Sequence, residues 1–234
     1  MKRRSQNLYK RLFLRLVEPG VHFASYNKIA STRGIIDLKV LHITNSIIEN
    51  GGILMIYVGM IFIAVVGTLL HFLYELSGHN KFVAIFAAVN ESTWEHIKIC
   101  ITPTIIWSLY DGYMNGMNGN FLIGKSLSLL TIILLIPILF YTYTTFTKKS
   151  ILWIDVICFY ITVICSQLIF HYFISMESLP FIYTYLSCIL LFIEVGAYIF
   201  LTFNPLKNFI FEDPISHKYG LSGHTEMHHH EHKH

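Results

Sequence analysis

Between His71 and Lys98 the chain reads HFLYELSGHNKFVAIFAAVNESTWEHIK, and here it concentrates the groups able to do chemistry. His71, Glu75, Asn90, Glu91, Ser92, Glu95 and His96 supply imidazoles, carboxylates, an amide and a hydroxyl. Two imidazoles and a third nitrogen or oxygen donor, with one position left to water, make a zinc hydrolase centre. His71, His96 and the distant His171 could furnish the nitrogens, with Glu75, Glu91, Glu95 or Glu194 as acid and base. On this reading Glu91, Ser92, Glu95 and His96 are the catalytic candidates. His71, Glu75, Asn90, His96, His171 and Glu194 are the binding candidates, and the cofactor implied is Zn.

A plainer reading stands beside it. Ser92 followed three residues later by Glu95 is the S-x-x-E capping box of a helix start. His71 and Glu75, four apart, share a helix face and could simply pair at the lipid headgroups. Capping does not explain Asn90, Glu91 and His96 crowded around it. A second histidine cluster closes the chain in HTEMHHHEHKH, where His224, His228, His229, His230, His232 and His234 form a tract with affinity for Zn, Ni or Cu. His228, His229, His230 and His232 are its metal candidates; a solvated tail is the default reading.

The elements that must hold these residues are membrane helices. Hydrophobic residues make up 54% of the chain and charged ones 13%, about half the charge of a soluble domain. With about 20 apolar residues needed per crossing, the spans fall at 53–76, at about 93–113 after the Ser92 cap, and at 121–146, 151–176 and 180–203. The short apolar run 81–89 makes a half-helix before the second. The fold expected is therefore an all-α polytopic transmembrane bundle of about five spans. Residues 1–52 form a basic region ahead of the bundle at 53–203, and 204–234 form a polar His-rich tail. Gly59 and Gly67 offer places for close helix approach. Residues 8–17 and 34–48 read as amphipathic helices on the membrane surface, ended by Pro19-Gly20 and Asn50-Gly51-Gly52. No cleavable signal peptide is expected, because LFLRLV is short and broken by Arg15.

The arginines, Arg3, Arg4, Arg11, Arg15 and Arg33, all precede residue 50. This places the N-terminus in the cytoplasm and predicts anionic lipid headgroups as its partner. Five crossings then put Lys148-Lys149 on the outer side, against the same rule, whereas a re-entrant hairpin over 81–113 would bring them inside. Cys100, Cys158, Cys165 and Cys188 lie in apolar segments without a CxxC pair, so packing is expected rather than disulfides.

The stretches LHF-x-YE-x-SG and VNES-x-WEH-x-K, here Leu70 to Gly78 and Val89 to Lys98, carry a resemblance to a family of small bacterial integral membrane proteins containing a domain of unknown function. FEDPISHKYG is similar to that family's ending, in Phe211, Asp213, Pro214, Tyr219 and Gly220. The resemblance covers about residues 53–220 and implies a multi-pass protein of the bacterial plasma membrane; it brings no activity with it. Ser92, His96 and Asp111 also faintly resemble the Ser, His and Asp pattern of ceramidase and adiponectin-receptor-like hydrolases. Those have seven spans and a paired His-x-x-x-His that this chain lacks.

The functions compatible with these observations are a structural or accessory membrane component with a polar site at 71–98, a small ion or proton carrier, and an intramembrane metal-dependent hydrolase. The bilayer is the expected partner, with a homodimer needed for a carrier. Nucleic-acid binding is not expected, and no nucleotide loop, dinucleotide fingerprint, haem site or iron–sulfur spacing is present.

Overall fold

The computed structural model describes residues 36–117 and 119–224, with side chains from 54 to 222 apart from 115 and 118. Five long helices account for most of them: α1 (Ile36–Leu76), α2 (Thr93–Asn115), α3 (Phe121–Thr147), α4 (Leu152–Ile174) and α5 (Phe181–Phe203). A 3-10 turn at Val83–Ile85 precedes α2, and a four-residue helix, α6 (Leu221–His224), follows the bundle. The described residues contain no strand, only an isolated bridge between Glu212 and Tyr219. The all-α expectation holds, and the half-helix takes the form of that 3-10 turn.

One boundary differs from the sequence reading. Asn50-Gly51-Gly52 does not end a helix; α1 runs unbroken through it. A glycine in a helix interior costs only about 1 kcal/mol relative to alanine, too little to stop a helix continuing into an apolar span.

Four helices are long and apolar enough to cross a membrane: Leu54–Leu76 of α1, and α3, α4 and α5 in full. Together they make this a multi-pass membrane protein. The fifth, α2, fails on composition because it carries Glu95, His96, Lys98 and Asp111, and the bundle explains how it can. Residues 97–104 are buried at every position, so the middle of α2 is wrapped by its neighbours, while Ile106, Leu109, Tyr113 and Met114 nearer its end stay exposed. Its start lies opposite the end of α3, where Thr93 Oγ1 meets Tyr141 Oη at 2.9 Å, and its end lies opposite the start of α3, where Lys125 Nζ donates to Asp111 at 2.7 Å. One unbroken helix thus runs the length of the bundle, not the two arms of a hairpin.

Small residues bring the helices together where expected. A Cβ on Gly67 would lie 2.8 Å from the Ile99 carbonyl oxygen and 2.6 Å from the Phe159 ring. One on Gly59 would lie 2.4 Å from Trp107 Nε1. Around these contacts Ile63, Ile97, Cys100, Trp107, Ile132 and Val163 form the core. The outer faces of α1 and α5 stay apolar, as at Leu54, Ile61, Leu69, Phe181, Phe192 and Phe200, and a lipid bilayer is the partner such faces require. All four cysteines are free thiols.

At the far end of the bundle from the motif, Asn120 ties the start of α3 to the α4–α5 connection. Its amide donates to Phe173 O and Glu177 O, and its oxygen accepts from Leu179 N at 2.9 Å. The Asp111–Lys125 pair is buried at that same end, with the Lys125 ammonium 3.4 Å from the Phe170 ring centroid.

Candidate metal centre at the membrane face

The ends of α1, α3 and α5 and the beginnings of α2 and α4 lie at one end of the bundle, and the motif is folded among them. After α1 the chain reverses through Gly78 and His79, both left-handed at φ 66° and 65°. Residues 81–89 then fold back against the last turns of α1, where Ala88 N donates to Leu70 O at 3.3 Å. Apart from the 3-10 turn this backbone is irregular, so inside a membrane protein its remaining polar groups need other partners. Three side chains capture three consecutive carbonyls. Lys98 Nζ donates to Ala84 O at 2.8 Å, Tyr198 Oη to Ile85 O at 2.6 Å, and Thr102 Oγ1 to Phe86 O at 3.1 Å. Thr102 Oγ1 also lies 2.9 Å from Lys98 O and 2.8 Å from Tyr198 Oη, so its single proton is shared among these partners and Phe86 O.

The same fold occupies Glu95. Its carboxylate accepts from Val89 N at 3.0 Å and lies 2.5 Å from Lys98 Nζ, with both side chains buried. Ser92 is the N-cap, its hydroxyl accepting from Glu95 N at 3.4 Å. The box is not reciprocal, however. The Ser92 backbone N–H goes to Asn90 Oδ1 at 2.9 Å, leaving Glu95 to the buried lysine. Glu95 and Ser92 therefore have structural work that accounts for them.

What remains converges. His71 Nε2 lies 3.5 Å from one oxygen of Glu91, and His96 Nε2 lies 3.8 Å from the other. The two imidazole centroids are 5.7 Å apart. Donor atoms of His71, Glu91 and His96 all fall within 4.8 Å of one another, and all three residues are half-buried. Around a tetrahedral zinc with ligand distances near 2.1 Å, neighbouring donors sit about 3.4 Å apart, so this set, spread over up to 4.8 Å, would draw together around an ion. His96 Nδ1 is 3.0 Å from Ser92 O. A proton on Nδ1 shared with that carbonyl leaves the Nε2 lone pair facing Glu91, the tautomer a metal ligand needs. Two imidazoles and one carboxylate suit zinc or a similar first-row divalent ion.

A strap after α5 closes over this end. Asn90 Nδ2 donates to Gly220 O at 2.9 Å, Glu91 N to Asp213 Oδ1 at 3.2 Å, and Trp94 N to Ile210 O at 2.9 Å. The Trp94 and Phe211 rings stack at 4.8 Å. Between strap and α3 a cleft of about 230 Å³ is lined by Glu91, Thr93, Tyr141, Phe209, Glu212 and His217, among others.

A model of a family of unknown function, DUF6512, matches residues 46–221. The chain belongs to that family. No curated protein and no solved structure matches the chain. The matched region of this chain takes in α1 from residue 46, the motif with its His–Glu–His cluster, the other four long helices and the strap.

Of the residues singled out in the sequence, His71, Glu91 and His96 come together. Asn90 lies beside them with both ends of its amide engaged, and Glu75 is an exposed residue one turn beyond His71 on α1. His171 does not join them. It belongs to the last turn of α4, beside Phe170 packed on Gly124 at the start of α3, with Nδ1 3.3 Å from Ser175 Oγ. That is the opposite end of the bundle. Asp111 is there too, so Ser92, His96 and Asp111 form no triad. Glu194 is buried midway along α5, its carboxylate oxygens without hydrogen-bond partners among the described residues. His228, His229, His230, His232 and His234 lie outside the described residues, as does the basic N-terminal stretch. The sequence reading missed Tyr198, Thr102 and Asp213 as residues that shape this region. Asp213 sits in the motif-bearing tail FEDPISHKYG; no local pattern marks the other two.

Proposed function

We propose that this DUF6512 protein is a membrane metalloprotein of hydrolytic type, its divalent cation held by His71, Glu91 and His96. The observation that carries the reading is the mutual approach of those three donor sets at one membrane face. A bound zinc with three protein ligands would keep a position open and supply an activated water. The chain's own residues have distinct tasks. The Ser92 carbonyl fixes the His96 tautomer, Glu91 bridges the two imidazoles, and the exposed Glu75 is the free carboxylate nearest in sequence to His71, available to take up a proton. Glu95 is committed to Lys98 and Val89, which argues against it as the acid or base.

The test is metal content by mass spectrometry on full-length protein with the tail histidines replaced by glutamine. The expected result is near-stoichiometric zinc that is lost in His96→Ala. Absence of zinc from the parent protein overturns the reading.

A second reading, a proton carrier, is favoured by Glu194 and Gln167, buried polar groups without hydrogen-bond partners among the described residues. It predicts proton flux in liposomes that Glu194→Gln abolishes. The reading as a structural or accessory component is supported by Glu95, Lys98, Asp111 and Asn120, whose partners are all internal; it leaves the His–Glu–His cluster without a role.

A further inference from the structure

Glu91 is the one ligand of the candidate centre that no regular element positions. His71 is set by α1 and His96 by the first turn of α2, whereas Glu91 precedes the Ser92 cap and lies outside any helix. Its place is fixed from a segment more than a hundred residues later. The Glu91 N–H donates to Asp213 Oδ1, while Asn90 and Trp94 on either side are tied to Gly220 and Ile210 of the same strap. Asp213 is fully buried. Its second oxygen accepts from Ser216 N at 2.8 Å and Ser216 Oγ at 2.6 Å, so its own orientation is set within the strap. The Asp213 N–H donates to Lys218 O, and its carbonyl accepts from His217 N, which closes the strap's turn.

We infer that Asp213 is the positioning residue of the metal centre, holding the Glu91 backbone so that its carboxylate bridges His71 and His96. The inference rests on the metal reading above and adds a component to it. Groups that orient a ligand rather than bind the ion typically change metal affinity about 10–100-fold when removed. The strap is thereby part of the site and not merely a cover for it.

The experiment is a double-mutant cycle on zinc affinity in full-length, tail-substituted protein, with Asp213→Ala, Glu91→Gln and the pair. Asp213→Ala should raise the zinc Kd at least about tenfold. In the Glu91→Gln background it should add less than twofold, because a residue acting through Glu91 has nothing left to position. An equal loss in both backgrounds would mean a general structural role and overturn the inference, as would an unchanged Kd in Asp213→Ala. A cobalt-substituted sample gives a second readout, its visible spectrum shifting in Asp213→Ala and not in Gly196→Ala, where an added Cβ meets nothing within 4 Å. Should Asp213→Ala fail to fold, Asp213→Asn serves instead. Its amide N–H must oppose either the Glu91 N–H or the Ser216 donors, and at least a threefold rise in Kd is expected. Absence of zinc from the parent protein removes both readings, whereas zinc present and insensitive to Asp213 removes only this one.

Discussion

The Lys98 ammonium lies 2.5 Å from the Glu95 carboxylate, with neither side chain exposed to more than a trace of solvent. Two of the motif's most conspicuous charges thus neutralise each other inside the bundle. Between them they hold the folded-back segment, Lys98 at Ala84 O and Glu95 at Val89 N. Breaking a buried pair from one side leaves an uncompensated charge, at a cost of about 3–5 kcal/mol. Lys98→Met should therefore lower thermal stability sharply in a detergent melt. A melting temperature within a degree of the parent would disprove a structural role for the pair.

A bond between neutral groups should matter less. Tyr198→Phe removes the hydroxyl that holds Ile85 O and meets Thr102, and a loss of about 1–3 kcal/mol follows from leaving that carbonyl unpaired. Cysteine accessibility at Ile85→Cys, read with a water-soluble maleimide, should rise in the Tyr198→Phe protein. Unchanged labelling would mean that the segment holds itself in place.

Gly67 tests the packing of α1 on α2 and α4. A side chain there must displace the Ile99 backbone carbonyl, which a helix cannot yield cheaply. Gly67→Val should cost about 1–3 kcal/mol through overpacking, read as a lower melting temperature. Gly196→Ala is the control, since nothing lies within 4 Å of a Cβ at that position. Equal effects of the two substitutions would argue against close packing at Gly67.

The Asp111–Lys125 pair lends itself to a replacement cycle. Asp111→Leu or Lys125→Met alone should destabilise by about 3–5 kcal/mol, whereas the double variant should recover most of the loss. Additive losses would contradict a direct pair at 2.7 Å.

The positive-inside rule, applied to the basic N-terminal stretch, predicts a cytoplasmic start of α1. If all five long helices cross, the end that carries His71, Glu91 and His96 then faces outward. A cysteine in place of Ser150, in the α3–α4 turn at that same end, should react with a membrane-impermeant maleimide added to intact cells. Protection from outside and labelling only after lysis would reverse the orientation.

Composition and the lengths of the apolar runs were enough to determine a helical membrane bundle, because lipid offers no partner for unpaired backbone and leaves helices as the available element. The boundaries of α2 to α5 were legible to within two residues, set by Ser92, Asn120, the Lys148–Ser150 turn and Pro180. Local rules failed at Gly51-Gly52, where glycine is a weak helix breaker beside a long apolar span. The crowding of His71, Glu91 and His96 could be suspected from their common membrane face. Their separation from Glu95, Asp111 and His171 could not, since it depends on which partner each charge finds across the bundle. Only the tertiary structure gave Glu95 to Lys98, Asp111 to Lys125 and the Glu91 backbone to Asp213. Those choices turn on contacts between residues up to 122 positions apart, and such pairings leave no mark on the periodicity of any one helix.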